Sequence, residues 1–166
     1  MRRPLINLLL LLSLNLWAQK SSPSNATANL NVSVTVTDRL EMITLKDINI
    51  GSVLPSQVQV TVDPQDDQRA GIIKITGGSS ARIKLSFTQQ VEMVNSTTGG
   101  ILLVKYRLSG NPLNEQNSSF QILKNPTSLD LSETGDYYIW VGCSFGLENI
   151  EPGNYDGNFG IEVDYF

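Results

Sequence analysis

From Leu30 onward the apolar residues of this chain recur at every second position, and that period decides the class of fold. Leu30, Val32, Val34 and Val36 alternate with Asn31, Ser33, Thr35 and Thr37. Successive side chains of a strand point to opposite faces, so this run describes a strand with one buried face. The pattern returns at Ile48 and Ile50, at Val58, Val60 and Val62, and at Ile73 and Ile75. Gly77-Gly78-Ser79 reads as a hairpin turn, with Ile83, Leu85 and Phe87 returning from it. After Gly99-Gly100, Leu102, Val104, Tyr106 and Leu108 face one way, and the polar stretch from Asn111 to Ser119 reads as a loop before a short strand at Phe120 to Leu123. A further strand follows Gly135, and the last carries Phe159, Ile161, Val163 and Tyr165 in alternation. No window beyond the N-terminal segment has helical spacing. About eight to ten short strands at intervals of about 8–12 residues predict an all-β, antiparallel sandwich of immunoglobulin-like or pilin-like type.

A small outer-membrane barrel is the competing architecture, because its strands also alternate. Its last strand should carry apolar residues in phase with the terminal aromatic, facing lipid. In phase with Phe166 stand Asp164 and Glu162, while Val163 and Ile161 are out of phase. The sandwich is the better reading.

Composition then removes whole classes of chemistry. The 166 residues include no histidine and one cysteine, so no Ser-His-Asp triad, Cys-His dyad, His-ligated metal or cysteine zinc cluster can form. Only carboxylates, hydroxyls and lysines remain for catalysis, and neither an enzyme nor a cofactor is expected. The formal charge is −4, which gives nucleic acid nothing to bind.

The N-terminal segment MRRPLINLLLLLSLNLWAQK has the parts of a signal peptide. Arg2 and Arg3 form the basic region, Leu5 to Leu16 the apolar region, and Leu16-Trp17-Ala18 a cleavage site, with Ala26-Thr27-Ala28 a second. The apolar run is shorter than the roughly 20 residues needed to span a bilayer, so no membrane span is expected in the mature chain. Removing residues 1–18 leaves 10 basic against 16 acidic residues, a net charge of −6. Residues 19–29 are small and polar and read as a flexible leader, and residues 30–166 as one β-sandwich domain. The location expected is periplasmic, cell-surface or extracellular. Cys143 shares a strand face with Ile139, Val141 and Phe145, which predicts a buried thiol.

The order of strands and turns resembles the bacterial exported domains known as domain of unknown function 4402. Asp47-Ile48-Asn49-Ile50-Gly51 resembles that family's early strand end, with Ile where the family favours Phe. Gln59-Val60-Thr61-Val62-Asp63-Pro64 resembles the next strand and its turn, and Ile73 to Leu85 the central hairpin. Pro152-Gly153-Asn154-Tyr155-Asp156-Gly157 with Phe159, Ile161, Val163 and Tyr165 resembles the closing turn and strand. The resemblance implies export and a pilin-like or immunoglobulin-like sandwich. It carries no catalytic or binding residues.

Three features are candidates for function. Leu30, Val32, Val34 and Val36 follow a leader of about ten residues, and a tethered alternating strand of this kind can fill a neighbour's groove while pairing along its open edge. The same strand can equally pair inside its own domain. Tyr138 and Trp140 share the outward phase with Gly142 and Ser144, and an exposed aromatic pair can stack on sugar rings or anchor a protein. Alternatively, a second layer covers them. Asp63, Asp66 and Asp67, with Glu148, Glu151 and Asp156, supply oxygen-rich loops that could hold calcium, or that serve as solvated turns. Asn25, Asn31, Asn95 and Asn117 each begin an N-x-S/T triplet. The reading that follows is an exported, non-enzymatic structural or adhesive subunit of the cell envelope, pilus- or fimbria-like, assembling with itself or another envelope subunit through strands. The alternative is a carbohydrate-binding module using Tyr138 and Trp140 on a glycan.

Overall fold

The computed structural model describes residues 39–50 and 57–166. The signal segment, the leader and the strand expected at Leu30–Val36 lie outside the described residues. Eleven strands follow: β1 (Glu41–Lys46), β2 (Gln59–Val62), β3 (Gly71–Thr76), β4 (Arg82–Phe87), β5 (Gln90–Asn95), β6 (Ile101–Asn111), β7 (Phe120–Ile122), β8 (Thr127–Asp130), β9 (Asp136–Gly146), β10 (Tyr155–Asp156) and β11 (Ile161–Tyr165). One 3-10 turn, Gln116–Ser118, is the sole helical element among the described residues. The strands form two antiparallel sheets. The larger runs β1-β3-β9-β6-β5-β10, with β2 also pairing β9 and β7 also pairing β6; the smaller runs β11-β4-β8.

Alternation explains the core directly. On β6, Leu102, Val104, Tyr106 and Leu108 are buried; on β9, Tyr137, Ile139, Val141, Cys143 and Phe145 are buried. Ile73 and Ile75 of β3 join them from the same sheet, and Ile83, Leu85 and Phe87 of β4 close the core from the other. Each fully buried side chain of this size stabilises the fold by about 1.5–3 kcal/mol. The apolar phase thus lies between the sheets, the reverse of a barrel that turns it to lipid. The all-β antiparallel sandwich is the architecture of the described residues.

Two expectations about individual strands need correction. Ile73–Ile75 and Ile83–Phe87 do not form a hairpin: β3 pairs with β1 and β9, and β4 with β8 and β11. The glycine turn between them carries the chain from one sheet to the other. Its anchors are the Gly77 N–H donating to the Gly135 carbonyl at 2.8 Å and the Gly78 N–H donating to the Tyr165 hydroxyl at 2.9 Å. Ile48 and Ile50 lie in irregular backbone and are half-buried against the core. The strand of that region is β1, on residues that showed no clean alternation.

Candidate functional site

The outward face of the larger sheet is built by four strands, the consecutive β5 and β6 and the distant β2 and β9. Thr61 of β2 lies opposite Ser144 of β9, Ser144 opposite Lys105 of β6, and Lys105 opposite Gln90 of β5. These four side chains form one row across the sheet, because residues opposite one another on antiparallel strands share a face. Arg107, two residues along β6, lies opposite Gly142, which offers no side chain of its own. A shallow depression of about 500 Å3 sits on this row. A second, of about 530 Å3, adjoins it through Gln59, Lys105 and Ser144 and extends to Val58, Ile101 and Leu103. Those three apolar residues are exposed, as is Val94, which lies opposite Ile101. Sequence reading missed this site, although Lys105 and Arg107 stand out in the outward phase of β6.

Tyr138 and Trp140 do not form an exposed aromatic platform. Their rings lie 6.3 Å apart, but Trp140 is only 1% exposed and Tyr138 is half-buried, with Lys74 Nζ 5.7 Å from its ring centre. The reason is a partial third layer over this end of the sheet, made by the β2–β3 and β6–β7 connections. Ser109, opposite Trp140 on β6, donates its hydroxyl to the Pro64 carbonyl at 3.1 Å and accepts from the Ser119 hydroxyl at 2.9 Å. Gln116 Nε2 donates to the Pro64 and Asp67 carbonyls, and Gln65 Nε2 to the Ser119 carbonyl at 2.7 Å. Pro64 presses so closely on Gly142 that a Cβ there would clash with it. A glycine in the outward phase of a long strand was the available signal of a covering segment.

The edge of the sheet offers a different surface. β1 stands at one end of the strand order and has no partner on its outer side among the described residues. All six of its residues are exposed, including Met42 at 40%, Ile43 at 47% and Leu45 at 49%. Apolar residues on both faces of an open edge favour pairing with another strand. Leu30, Val32, Val34 and Val36 lie outside the described residues.

Of the remaining candidates, Asp66, Asn117, Glu148, Glu151 and Asp156 are exposed, and several others are held within the fold. The Asp67 carboxylate holds Arg69, which lowers its pKa, and Asp63 accepts from the Gln65 N–H at 2.9 Å. No group of three or more His, Cys, Asp or Glu side chains among the described residues could hold a metal. Asn95 is buried, and its side-chain oxygen accepts from the Thr97 and Thr98 N–H groups, which makes it a turn former rather than a surface acceptor. Cys143 is free and fully buried, and burial pushes its thiol up to about 11. A thiol held protonated is a poor nucleophile.

No family model matches the chain, and no curated protein matches it. Among solved structures, it is similar to a chain of the CsuC–CsuE chaperone–tip adhesion subunit pre-assembly complex from the archaic chaperone-usher Csu pili of Acinetobacter baumannii. The match covers 79% of this chain and 40% of that chain's length, at 15% identity and a TM-score of 0.39.

Proposed function

We propose that this chain is an exported, non-enzymatic structural or adhesive subunit of the bacterial cell envelope that assembles through strand pairing. The observation that carries the reading is β1, a sheet edge open among the described residues, whose Met42, Ile43 and Leu45 are exposed. An edge with unpaired N–H and C=O groups accepts a further strand, and apolar side chains on it add burial to the backbone hydrogen bonds. The alternating run from Leu30 to Val36, just upstream, is the segment of a second copy suited to that edge. Export rests on the signal-peptide pattern of residues 1–18, and the bacterial assignment on the resemblance to the exported family.

The test is size-exclusion chromatography with light scattering on the chain from residue 19, over a concentration series, beside a form lacking residues 19–37. Multimers that grow with concentration and vanish on deletion are the expected result. A monomer at every concentration, or multimers unchanged by the deletion, would overturn strand-mediated assembly.

A further inference from the structure

The row from Thr61 to Gln90 has a chemistry that stands apart from the charge of the chain. The chain carries 16 acidic residues, yet none lines the depression of about 500 Å3 built on that row. Its wall includes the amides of Gln59 and Gln90, the hydroxyls of Thr61 and Ser144, and the cations of Lys105 and Arg107. Three basic side chains elsewhere are neutralised, Arg69 by Asp67, Lys74 by Asp136 and Arg82 by Asp130. Lys105 and Arg107 share one face of β6 and form no ion pair with a carboxylate among the described residues. Arg107 Nε is buried and donates to no acceptor. A charged donor without an acceptor is unusual in a folded protein, and it leaves this guanidinium placed by packing, with its hydrogen-bonding capacity unspent.

Charge and hydrogen-bonding character together identify the ligand. Two unpaired cations in a recess without carboxylates attract an anion, and the low-dielectric sheet beneath focuses their field. Amides and hydroxyls both donate and accept, which matches a ligand bearing many hydroxyls better than a bare ion. The adjoining depression supplies Leu103, Ile101 and Val58, apolar surface on which the C–H face of a sugar ring can lie, with Glu148 as the carboxylate in that second lining.

We propose that this face binds an acidic glycan. The carboxylate or sulfate of one sugar sits on Lys105 and Arg107, its hydroxyls on Gln59, Gln90 and Thr61, and a neighbouring ring on Leu103. The site is separate from Tyr138 and Trp140, and it does not depend on strand-mediated assembly, so either can fail alone.

The test is affinity electrophoresis of the chain from residue 19 in gels containing polygalacturonate, heparin or amylose. The variants are Gln90→Ala and the double change Lys105→Gln with Arg107→Gln. The wild type is expected to be retarded by an acidic polymer and not by amylose. The double variant should lose about tenfold in apparent affinity, and Gln90→Ala several-fold. Raising NaCl from about 0.05 to about 0.5 M should weaken the retardation. Stronger retardation in polygalacturonate assigns the anion as a carboxylate, and in heparin as a sulfate ester. Free migration of the wild type in both acidic gels, equal retardation in amylose, or retardation unchanged by the double variant would each overturn the site. Thermal melting checks the fold of the double variant, and Gln90→Ala, at an exposed position, keeps the test decisive if that fold suffers.

Discussion

Gly135 and Gly99 occupy the same left-handed backbone region, at φ +81° and +74°, in unlike surroundings. A Cβ at Gly99 would meet nothing within 4 Å, whereas one at Gly135 would fall on the Gly77 carbonyl oxygen. Gly99→Ala should therefore cost only the conformational term, about 1 kcal/mol. Gly135→Ala adds a clash at the link between the end of β3 and the turn into β9, and about 3 kcal/mol or more is expected. Urea unfolding measures both, and equal losses would show that the clash is relieved without cost. Trp140 gives a second contrast. As a fully buried side chain under the partial third layer, Trp140→Ala should lose about 3–5 kcal/mol. Half-buried Tyr138→Ala should lose distinctly less in the same assay. If the two are equal, the covering layer is not packed on Trp140 as described.

At the scale of strands, alternation reports which side chains face the core and says nothing about which strand lies alongside. Leu102 to Leu108 and Tyr137 to Phe145 were legible because each run is long and keeps one apolar phase throughout, and that phase is buried as read. The β3–β4 turn was misread because glycine-rich loops serve hairpins and sheet-to-sheet crossings alike. The binding row escaped notice because Thr61, Gln90, Lys105 and Ser144 become neighbours only through the registers of four strands. Trp140 was misplaced for a related reason, since what covers an outward position comes from loops distant in sequence. β1 was the hardest element to read, its apolar residues falling on both faces and its register shifting between Thr44 and Lys46. That two-sided exposure makes a prediction about association. Ile43→Lys places a charge on the open edge, a common natural block to edge-to-edge pairing. It should reduce multimers in light scattering while changing stability by no more than about 0.5 kcal/mol. Undiminished multimers would move the association surface away from β1.

For the molecule as a whole, the sandwich keeps buried titratable groups protonated between its sheets, Cys143 and Tyr137 the most strongly shifted, and this sets how its stability depends on pH. Burial raises the Cys143 thiol to about 11 from 9.0 and the Tyr137 phenol to about 12 from 10.0. For each group the folded chain holds its proton more tightly than the unfolded one, so the unfolded state gains from deprotonation first. The stabilising contribution is complete below pH 9, where both states keep both protons. It is lost progressively as pH rises through about 9 to 12, the thiol leading and the phenol following. On the acid side, the Arg82–Asp130 pair is exposed on the outer face of the smaller sheet, and its protonation should alter stability little. The urea midpoint is therefore expected to be level around neutrality and to fall steeply above pH 9. Cys143→Ala should make the early part of that fall shallower, whatever it costs in packing at pH 7, because only the thiol titrates there. A midpoint unchanged between pH 7 and pH 11, or a slope indifferent to Cys143→Ala, would mean that water reaches these groups and that the two sheets are not sealed around them.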